Sequence, residues 1–317
     1  MTAGTSRCTT PRSRLAAVAA LAVAGALVLA GCGDQTKKDS GSDNGTTPSS
    51  STSQAPLFAK LPKKYQDSGV INVGTDASYA PMEQTQGGTI VGIDPDLGNA
   101  LAQQLGVKFK FTNGTFDGLI TSLYTGREDI VMSAMSDTKA RQQGLDDKGK
   151  KTGKGVDFVD YYMSGSSLLV KKGNPEHITS LADVCGKTVA VQRGTIYQDA
   201  FNKQKKACGA KGLTIQPFDT DAEAQTRVKA GGAVADLNDT PVAAYIAQKS
   251  NGAFEVAGSP ADAGPFGIAL DKSNTQLRDA LKEALDAIIA DGTYAKVLAK
   301  WNATSGAIKT VTLNGGS

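Results

Sequence analysis

Residues 94–111, DPDLGNALAQQLGVKFKF, decide the fold predicted for this chain. Leucine recurs at every fourth position in the first half of the stretch, which predicts a helix with one buried stripe. In the last five residues apolar and charged side chains alternate, which predicts a strand with one buried face. Asp94 stands where the N-cap of the helix is expected, and Pro95 suits the first helical position. A helix that leads directly into a strand is the repeating unit of an α/β sheet.

The same alternation extends in both directions from this stretch. Residues 70–74, VINVG, form a compact apolar strand ahead of it, and Thr220 with Glu223 forms a capping box ahead of a later helix. Further elements are predicted at 119–124 (helix), 129–133 (strand), 188–191 (strand), 213–218 (strand), 277–288 (helix) and 294–301 (helix). Alternating strands and helices predict parallel sheets with helices on both faces. The predicted fold class is therefore α/β, with ligands bound at the carboxyl ends of the strands.

The composition excludes several classes of function. The 317 residues include 34 Lys and Arg, 31 Asp and Glu, and one histidine, His177. The first 31 residues carry three arginines and no acid, so the remainder is balanced at 31 basic and 31 acidic residues. A balanced chain without a clustered basic face predicts no nucleic-acid partner. One histidine excludes a histidine-rich metal site.

Two common enzyme motifs, the dinucleotide-binding glycine motif after a strand and the nucleophile elbow, are absent from the sequence. No Gly-x-Gly-x-x-Gly follows a strand, and there is no Gly-x-Ser-x-Gly nucleophile elbow. We therefore predict a protein that is not an enzyme, with no catalytic residue and no cofactor.

The N-terminus has the layout of an export signal. Three arginines precede residues 15–31, an uncharged run rich in Ala, Leu and Val, which is typical of a secretory signal peptide. The run ends in Leu29-Ala30-Gly31-Cys32, which resembles the bacterial lipobox. We therefore predict a signal peptide at 1–31 and a lipid on Cys32 that anchors the protein to the outer face of the cell membrane. An uncleaved membrane anchor and plain secretion are the alternatives.

Two features of the following chain fit an exported protein. Residues 32–56 are dominated by Ser, Thr, Gly, Asn and Asp, which predicts a flexible tether. Cys8 leaves with the signal peptide and Cys32 takes the lipid, so Cys185 and Cys208 remain. An even pair of cysteines in an exported domain is a candidate disulfide, with two separate buried thiols as the alternative.

Eight segments in order carry a resemblance to a known family. They are residues 73–82 (VGTDASYAPM), 90–97 (IVGIDPDL), 116–120 (FDGLI), 132–141 (MSAMSDTKAR), 156–162 (VDFVDYY), 186–195 (GKTVAVQRGT), 239–245 (DTPVAAY) and 290–294 (ADGTY). Together they resemble the polar amino-acid group of solute-binding proteins of bacterial ABC importers, solute-binding family 3. The resemblance extends from about Val70 to Trp301.

The resemblance implies a two-lobed, periplasmic-binding-protein-like fold of type II. Two crossing strands would form the hinge, with lobe 1 at 57–163 plus 264–317 and lobe 2 at 164–263. It implies a monomeric, lipid-tethered receptor that binds a polar L-amino acid in the cleft and delivers it to an ABC permease in the membrane. The alternatives are a sensing module that acts in trans and a dehydratase-like enzyme on the same fold.

The resemblance also assigns roles to individual residues. Arg141 would bind the α-carboxylate of the ligand, because a guanidinium can donate two parallel hydrogen bonds to it. Asp239 would pair with the α-ammonium, with a plain N-cap as the alternative. The other expected contacts are Asp76 near the ammonium and side chain, Tyr79 and Phe116 as aromatic walls or ordinary core residues, Ser133 and Ser136, Gln192, and the backbone amides of Gly194 and Thr195. Ser136 or Asp137 is expected to cap a helix that faces the carboxylate.

The sequence departs from the family pattern in three places. Ile196 stands where many members have Thr, Val234 replaces a common Asp, and 142–155 is a longer connection than usual, predicted as a surface loop. The sequence leaves two orientations open for Arg193 and Tyr197: their side chains point either toward the ligand side chain or toward solvent. An inward Arg193 would favour an acidic or amide side chain, so our first expectation for the ligand is glutamate or glutamine.

Overall fold

An eight-stranded sheet and a separate three-stranded sheet organise the part of the chain that the computed structural model describes, residues 55–146 and 148–317. The predicted signal peptide, Cys32 and nearly all of the predicted tether lie outside the described residues. The strands are β1 (Val70–Thr75), β2 (Ser78–Tyr79), β3 (Glu83–Gln86), β4 (Thr89–Val91), β5 (Lys108–Asn113), β6 (Ile130–Val131), β7 (Val156–Lys171), β8 (Thr188–Gln192), β9 (Thr214–Phe218), β10 (Ala235–Asp239) and β11 (Phe254–Asp271).

Helices connect these strands and cover both faces of the large sheet. They are α1 (Lys63–Ser68), α2 (Ile93–Leu105), α3 (Leu119–Tyr124), α4 (Lys139–Gln143), α5 (Ile196–Ala207), α6 (Asp221–Lys229), α7 (Thr240–Lys249), α8 (Thr275–Ala290) and α9 (Thr293–Lys300). The predicted capping box is present: the Thr220 hydroxyl accepts from the Glu223 amide, and the Glu223 carboxylate accepts from the Thr220 amide.

The strand order of the large sheet, β5-β1-β6-β11-β7-β10-β8-β9, divides it into two lobes. Strands β5, β1 and β6 are parallel in one lobe, and β10, β8 and β9 are parallel in the other. The long strands β7 and β11 pair with each other in antiparallel fashion and belong to both lobes. Their register shifts three times, between Ala257 and Ala261, Ala261 and Gly264, and Phe266 and Gly267. The predicted α/β, two-lobed fold class is confirmed.

The hydrophobic core follows the pleat of this sheet. Adjacent residues of a strand point to opposite faces, so Ile130 packs in a cluster with α2 and α8 while Val131 packs in a second cluster with α3. In the other lobe Leu168 and Leu169 divide in the same way. The leucine stripe of α2 is fully buried, as the periodicity predicts; it comprises Leu97, Leu101 and Leu105. Burying each such side chain contributes about 1.5–3 kcal/mol before entropy is counted.

Two N-cap predictions are wrong, for the same physical reason. Helix α2 begins two residues earlier than expected, with Gly92 at the N-cap, and the Asp94 carboxylate accepts hydrogen bonds from the Tyr161 hydroxyl and the Ala134 amide, each at 2.8 Å. Thr138, rather than Ser136 or Asp137, caps α4. The Asp94 carboxylate bonds to Ala134 and Tyr161, and Asp137 Oδ2 accepts from the Gly316 amide, so groups distant in the sequence occupy oxygens that were expected to cap a helix.

Strands β2 to β4 were not predicted from the sequence, because they are two to four residues long and mostly polar.

Cys185 and Cys208 are joined by a disulfide that links the residue after a short 3-10 turn to the end of α5, with a Cα–Cα distance of 5.3 Å. Within the described ranges, no helix combines the length and the apolar composition needed to cross a bilayer.

Candidate functional site

A cavity lies between the two lobes, where the carboxyl ends of β1, β8 and β10 meet. Its lining residues are Asp76, Tyr79, Glu83, Phe116, Ala134, Ser136, Arg141, Gln192, Thr195, Ile196, Tyr197 and Asp239. Most of the residues that the sequence analysis selected are therefore brought together. Ser133 and Gly194 contribute hydrogen bonds next to the cavity, whereas Glu83 and Ala134 line it without having been selected.

Arg141 supplies the cation of the site. It lies on the five-residue helix α4, whose N-cap Thr138 accepts a hydrogen bond from the Arg141 amide at 3.2 Å. Its Nη1 donates to the carbonyl of Ser136 at 2.8 Å, and its Nη2 donates to the carbonyl of Gly194 in the other lobe at 3.2 Å. The guanidinium carbon lies 5.4 Å from the ring centroid of Phe116. Burial lowers the pKa of Arg141 to about 10, so the side chain is still cationic at neutral pH.

Asp239 supplies an anion from the other lobe. It ends β10, where it pairs with Ser166 of β7. The Tyr79 hydroxyl donates to its Oδ2 at 2.7 Å, and the Tyr197 hydroxyl donates to its Oδ1. Although Asp239 occupies the N-cap position of α7, its side chain makes no capping hydrogen bond. Burial raises the pKa of Asp239 to about 7, and the tyrosine hydroxyls oppose that rise.

Asp76 supplies a second anion, from the end of β1. It is 3% exposed. Its carboxylate accepts from the Ser78 hydroxyl at 2.6 Å and from the side-chain amide of Gln192 in the other lobe. Its own amide donates to the Ser133 hydroxyl at 2.9 Å, so Ser133 supports Asp76 from behind. Burial raises the pKa of Asp76, and the hydrogen bonds from Ser78 and Gln192 oppose the rise.

Glu83 is a third acid at the cavity, and it is fully buried. Its Oε1 accepts from the Ser133 hydroxyl at 2.8 Å, whereas its Oε2 has no hydrogen-bond partner among the described residues. Burial, followed by the nearby charge of Asp94, raises the pKa of Glu83 well above its ordinary value. Burial also raises the pKa of Asp94 to about 6. Two adjacent buried carboxyls resist being ionised together, so the proton stays on Glu83, whose pKa is raised further, and Asp94 carries the negative charge of the pair near neutral pH.

A sequence signal for Glu83 existed. It comes directly after residues 73–82, the first segment that carries the resemblance, and it pairs with Tyr79 in a short hairpin. The hairpin folds Glu83 back beside Ser133, but three short polar strands give no periodicity from which this turn can be read.

The segment 192–195 places its residues in different directions. Thr195 caps α5: its hydroxyl accepts from the Gln198 amide at 3.2 Å and donates to the carbonyl of Gln192 at 2.8 Å. The amide of Gly194 donates to the Gln198 side chain at 2.9 Å. Arg193 is exposed, and its Nε lies 3.3 Å from the Asp219 carboxylate. Of the two orientations left open for Arg193, the structure has the outward one, while Tyr197 faces the cavity.

The cavity therefore offers one cation, Arg141, against two single carboxyls and one carboxyl pair. Such an arrangement suits a small dipolar molecule held at both ends between opposite charges, with aromatic rings along its sides. A bound molecule with only one carboxylate and one ammonium would not neutralise the charge of the cavity. After Arg141 pairs with the carboxylate and one acid pairs with the ammonium, negative charge remains.

Comparison with known proteins is consistent with this geometry. The family model of the bacterial extracellular solute-binding proteins, family 3, matches residues 71–304. The chain is 28% identical over 309 residues to the arginine-binding protein ArgT of Corynebacterium glutamicum, with 96% of each chain covered. It is 30% identical over 259 residues to the histidine-binding periplasmic protein of Salmonella typhimurium, covering 79% of this chain and 92% of the relative.

Solved structures of amino-acid-binding proteins are also similar to this chain. An ancestral arginine-binding protein, solved once with arginine and once with glutamine bound, superposes on this chain with a TM-score of 0.66 and 36% sequence identity. The superposition covers 74% of this chain and 98% of that protein.

Proposed function

The chain belongs to family 3 of the bacterial extracellular solute-binding proteins, and from that membership we propose that it binds a cationic L-amino acid between its lobes and delivers it to an ABC permease. In this proposal Arg141 binds the α-carboxylate and Asp239 the α-ammonium. The aromatic rings of Tyr79 and Phe116 flank the ligand. The ligand side chain extends toward Asp76 and Glu83.

The acid excess of the cavity is the observation that carries the choice of a cationic side chain. Once Arg141 and Asp239 are matched by the two ends of the amino acid, Asp76 and the Glu83–Asp94 pair still carry negative charge. The Asp76 carboxylate lines the cavity, and its side-chain partners, the Ser78 hydroxyl and the Gln192 amide, carry no positive charge that would neutralise it. A buried site keeps such charge at low cost only when a cation joins it.

Glutamine is the second candidate, and glutamate fits less well. A side-chain amide could donate to Asp76, and a neighbouring structure is that of an arginine-binding protein with glutamine bound. A glutamate side chain would bring a further negative charge to the acids. The expectation of an acidic or amide ligand depended on an inward Arg193, and this arginine is exposed and paired with Asp219.

The remaining parts of the proposal concern placement and motion. We propose that Cys32 anchors the protein, that residues 32–56 tether it, and that it acts as a monomeric receptor rather than as an enzyme. We also propose that 57–163 plus 264–317 and 164–263 move as lobes about β7 and β11. The register shifts of β11 lie next to the proposed boundary at 263, which supports a hinge there.

Isothermal titration calorimetry tests the ligand class. The described residues from 55 onward belong to one compact unit, so a protein that begins at residue 33 contains all of them. This protein is unfolded, dialysed and refolded to remove bound ligand, and then titrated with L-arginine, L-lysine, L-histidine, L-glutamine and L-glutamate. We expect the cationic group to bind most tightly. Tighter binding of glutamine or glutamate would overturn the cationic class, and no heat with any of the five would overturn the choice of ligand.

The variant Asp76→Asn sharpens this test. Removing one buried charge partner costs about 2 kcal/mol or more, so we expect about thirtyfold weaker binding of L-arginine. Binding of L-glutamine should change by no more than about threefold, since an uncharged amide loses no ion pair. Asp219→Asn is the matched control: it removes the same charge from an exposed carboxylate and should leave both affinities unchanged.

A further inference from the structure

Residues 310–317, here called the strap, lie beyond the region that the family model matches. The strap runs beside the first half of β7, where Leu313 pairs with Val159. The amide of Asp160 donates to the carbonyl of Thr312 at 3.0 Å, and the amide of Asn314 donates to the carbonyl of Phe158 at 3.1 Å. The strap is therefore attached to one of the two long strands that the lobes share.

The strap also reaches the start of α4, the helix that carries Arg141. The amide of Gly316 donates to Asp137 Oδ2 at 2.8 Å, and Asp137 Oδ1 accepts from the Gln142 side chain at 2.7 Å. A Cβ on Gly316 would lie 2.0 Å from the carbonyl oxygen of Asp137, so only glycine allows this approach. The strap thus connects β7 to α4.

The strap supplies hydrogen-bond donors to two buried acids. Asp137 is 3% exposed and Asp160 is 1% exposed. Asp160 Oδ2 accepts from the Thr312 hydroxyl at 2.7 Å and from the Gly315 amide at 2.9 Å. Asp160 Oδ1 has no hydrogen-bond partner among the described residues. Burial raises the pKa of Asp160 to about 6, and the nearby charge of Asp137 adds to the rise.

Other charged side chains around this pair are already engaged. Lys139 on α4 donates to the Gln142 side chain at 3.0 Å, and Asp157 on β7 pairs with Arg278 of α8 at 2.9 Å. The Thr312 hydroxyl and the backbone amides of Gly315 and Gly316 are therefore the groups of the strap that hold the two acids side by side. Without them, two buried like charges would repel each other.

We propose that the strap is a positioning element for Arg141, because it holds Asp137 against Asp160 and so fixes the first turn of α4. A five-residue helix cannot hold its own position in water. Its start is held from outside, by the strap and by the hydrogen bond from the Asp137 amide to the carbonyl of Pro265 at 2.8 Å. Loss of the strap lets the two acids separate and moves the start of α4, and Arg141 moves with it. The role of Arg141 in binding rests on the proposed function.

The test compares the intact protein with a strapless chain, made by a stop codon at Thr310, with L-arginine as the probe. At pH 8 we expect the strapless chain to bind about tenfold more weakly or worse. Adding Asp160→Asn to it should restore the affinity to within about threefold of the intact protein, since the new amide can donate to Asp137. At pH 5.5 the difference in affinity between the intact and strapless chains should narrow, because protonated Asp160 can donate to Asp137 in place of the lost donor.

Each result decides the proposal. An unchanged affinity overturns it, and so does a loss that neither Asp160→Asn nor low pH repairs, because that result indicates a purely structural role. If the strapless chain does not fold, Gly316→Ala in the full chain makes the same comparison, with Ser317→Ala as the matched control. The same rescue by Asp160→Asn is expected there.

Hydrogen–deuterium exchange gives a readout that needs no ligand. Amides of residues 139–144 should exchange faster in the strapless chain, while those of α6 in the other lobe keep their rate. If the intact protein does not bind L-arginine, the proposed ligand is wrong, but this measurement still tests the strap. Unchanged exchange at 139–144 would overturn the proposal.

Discussion

The two residues proposed to hold the ends of the ligand are positioned in different ways. Asp239 ends a five-residue strand that is paired with β7 along its length and with β8 on the other side. Arg141 lies on a five-residue helix whose start is held by Pro265 and by Gly316, which is 179 residues away from Asp137 in the sequence. The carboxylate therefore takes its position from regular sheet structure, whereas the guanidinium takes its position from long-range contacts.

The largest expected effect comes from removing the guanidinium. Arg141→Ala should weaken L-arginine binding by about a thousandfold, or about 4 kcal/mol, because the ligand carboxylate loses its cation in a buried site. The melting temperature should change little, since backbone and strap contacts still hold the start of α4 when the side-chain bonds of Arg141 to the carbonyls of Ser136 and Gly194 are lost. Calorimetry and thermal unfolding measure the two quantities.

A matched control makes this result specific. Arg193→Ala removes the same charge from an exposed arginine near the cavity and should leave the affinity within about twofold. A dissociation constant for Arg141→Ala within tenfold of the unmodified protein would contradict the assignment of the carboxylate to Arg141.

A smaller effect is expected for Asp239: the affinity for L-arginine should depend on pH. Only ionised Asp239 can pair with the α-ammonium, and burial raises its pKa to about 7. Protons therefore compete with the ligand below pH 7, and the affinity for L-arginine should fall about twenty-five-fold between pH 7.5 and pH 5.5. The ligand guanidinium and Arg141 stay charged throughout this window. Titrations at four pH values measure the trend.

Asp239→Asn is the control for the pH dependence. It should bind more weakly at every pH and should lose most of the fall toward acid pH, because the competing proton site is gone. A variant that keeps the full dependence would assign the titration to another acid, such as the pair of Glu83 and Asp94.

The smallest effect compares two helix caps of the same chemistry. Thr138 caps α4 and Thr220 caps α6; each hydroxyl accepts from the amide three residues later, at 3.2 Å and 3.4 Å. Either Thr→Ala change should lower the free energy of unfolding by about 1 kcal/mol. Only Thr138→Ala should also weaken L-arginine binding, by about fivefold, because α4 carries Arg141. Equal affinities for the two variants would indicate that α4 is held without its cap.

The sequence predicted those elements whose signals are local. The capping box of α6 and the leucine stripe of α2 need only residues within one or two turns, and both are present as predicted. The N-cap role of Asp94 failed because the same carboxylate finds the Tyr161 hydroxyl, 67 residues away. A local rule cannot weigh a cap against a partner that approaches only in the folded chain.

Some residues of the candidate site were predicted from the sequence and others were not. Arg141 and Asp239 carry opposite charges in segments that resemble a known family, and the fold brings both to one cavity. Ser133 was expected at the ligand and instead supports Asp76 and Glu83 from behind. Glu83 was missed because a hairpin of short polar strands, without periodicity, turns it toward Ser133.

The sequence by itself determined the α/β alternation, the order of the family segments and the identity of the charged residues at the site. Those properties depend on residue type and on spacing along the chain. Only the tertiary structure decided that Arg193 points outward, that Glu83 and Asp94 share one buried region, and that the strap reaches Asp137. The direction of a side chain, and whether a buried acid keeps its proton, depend on neighbours that are distant in sequence and meet only when the core excludes water.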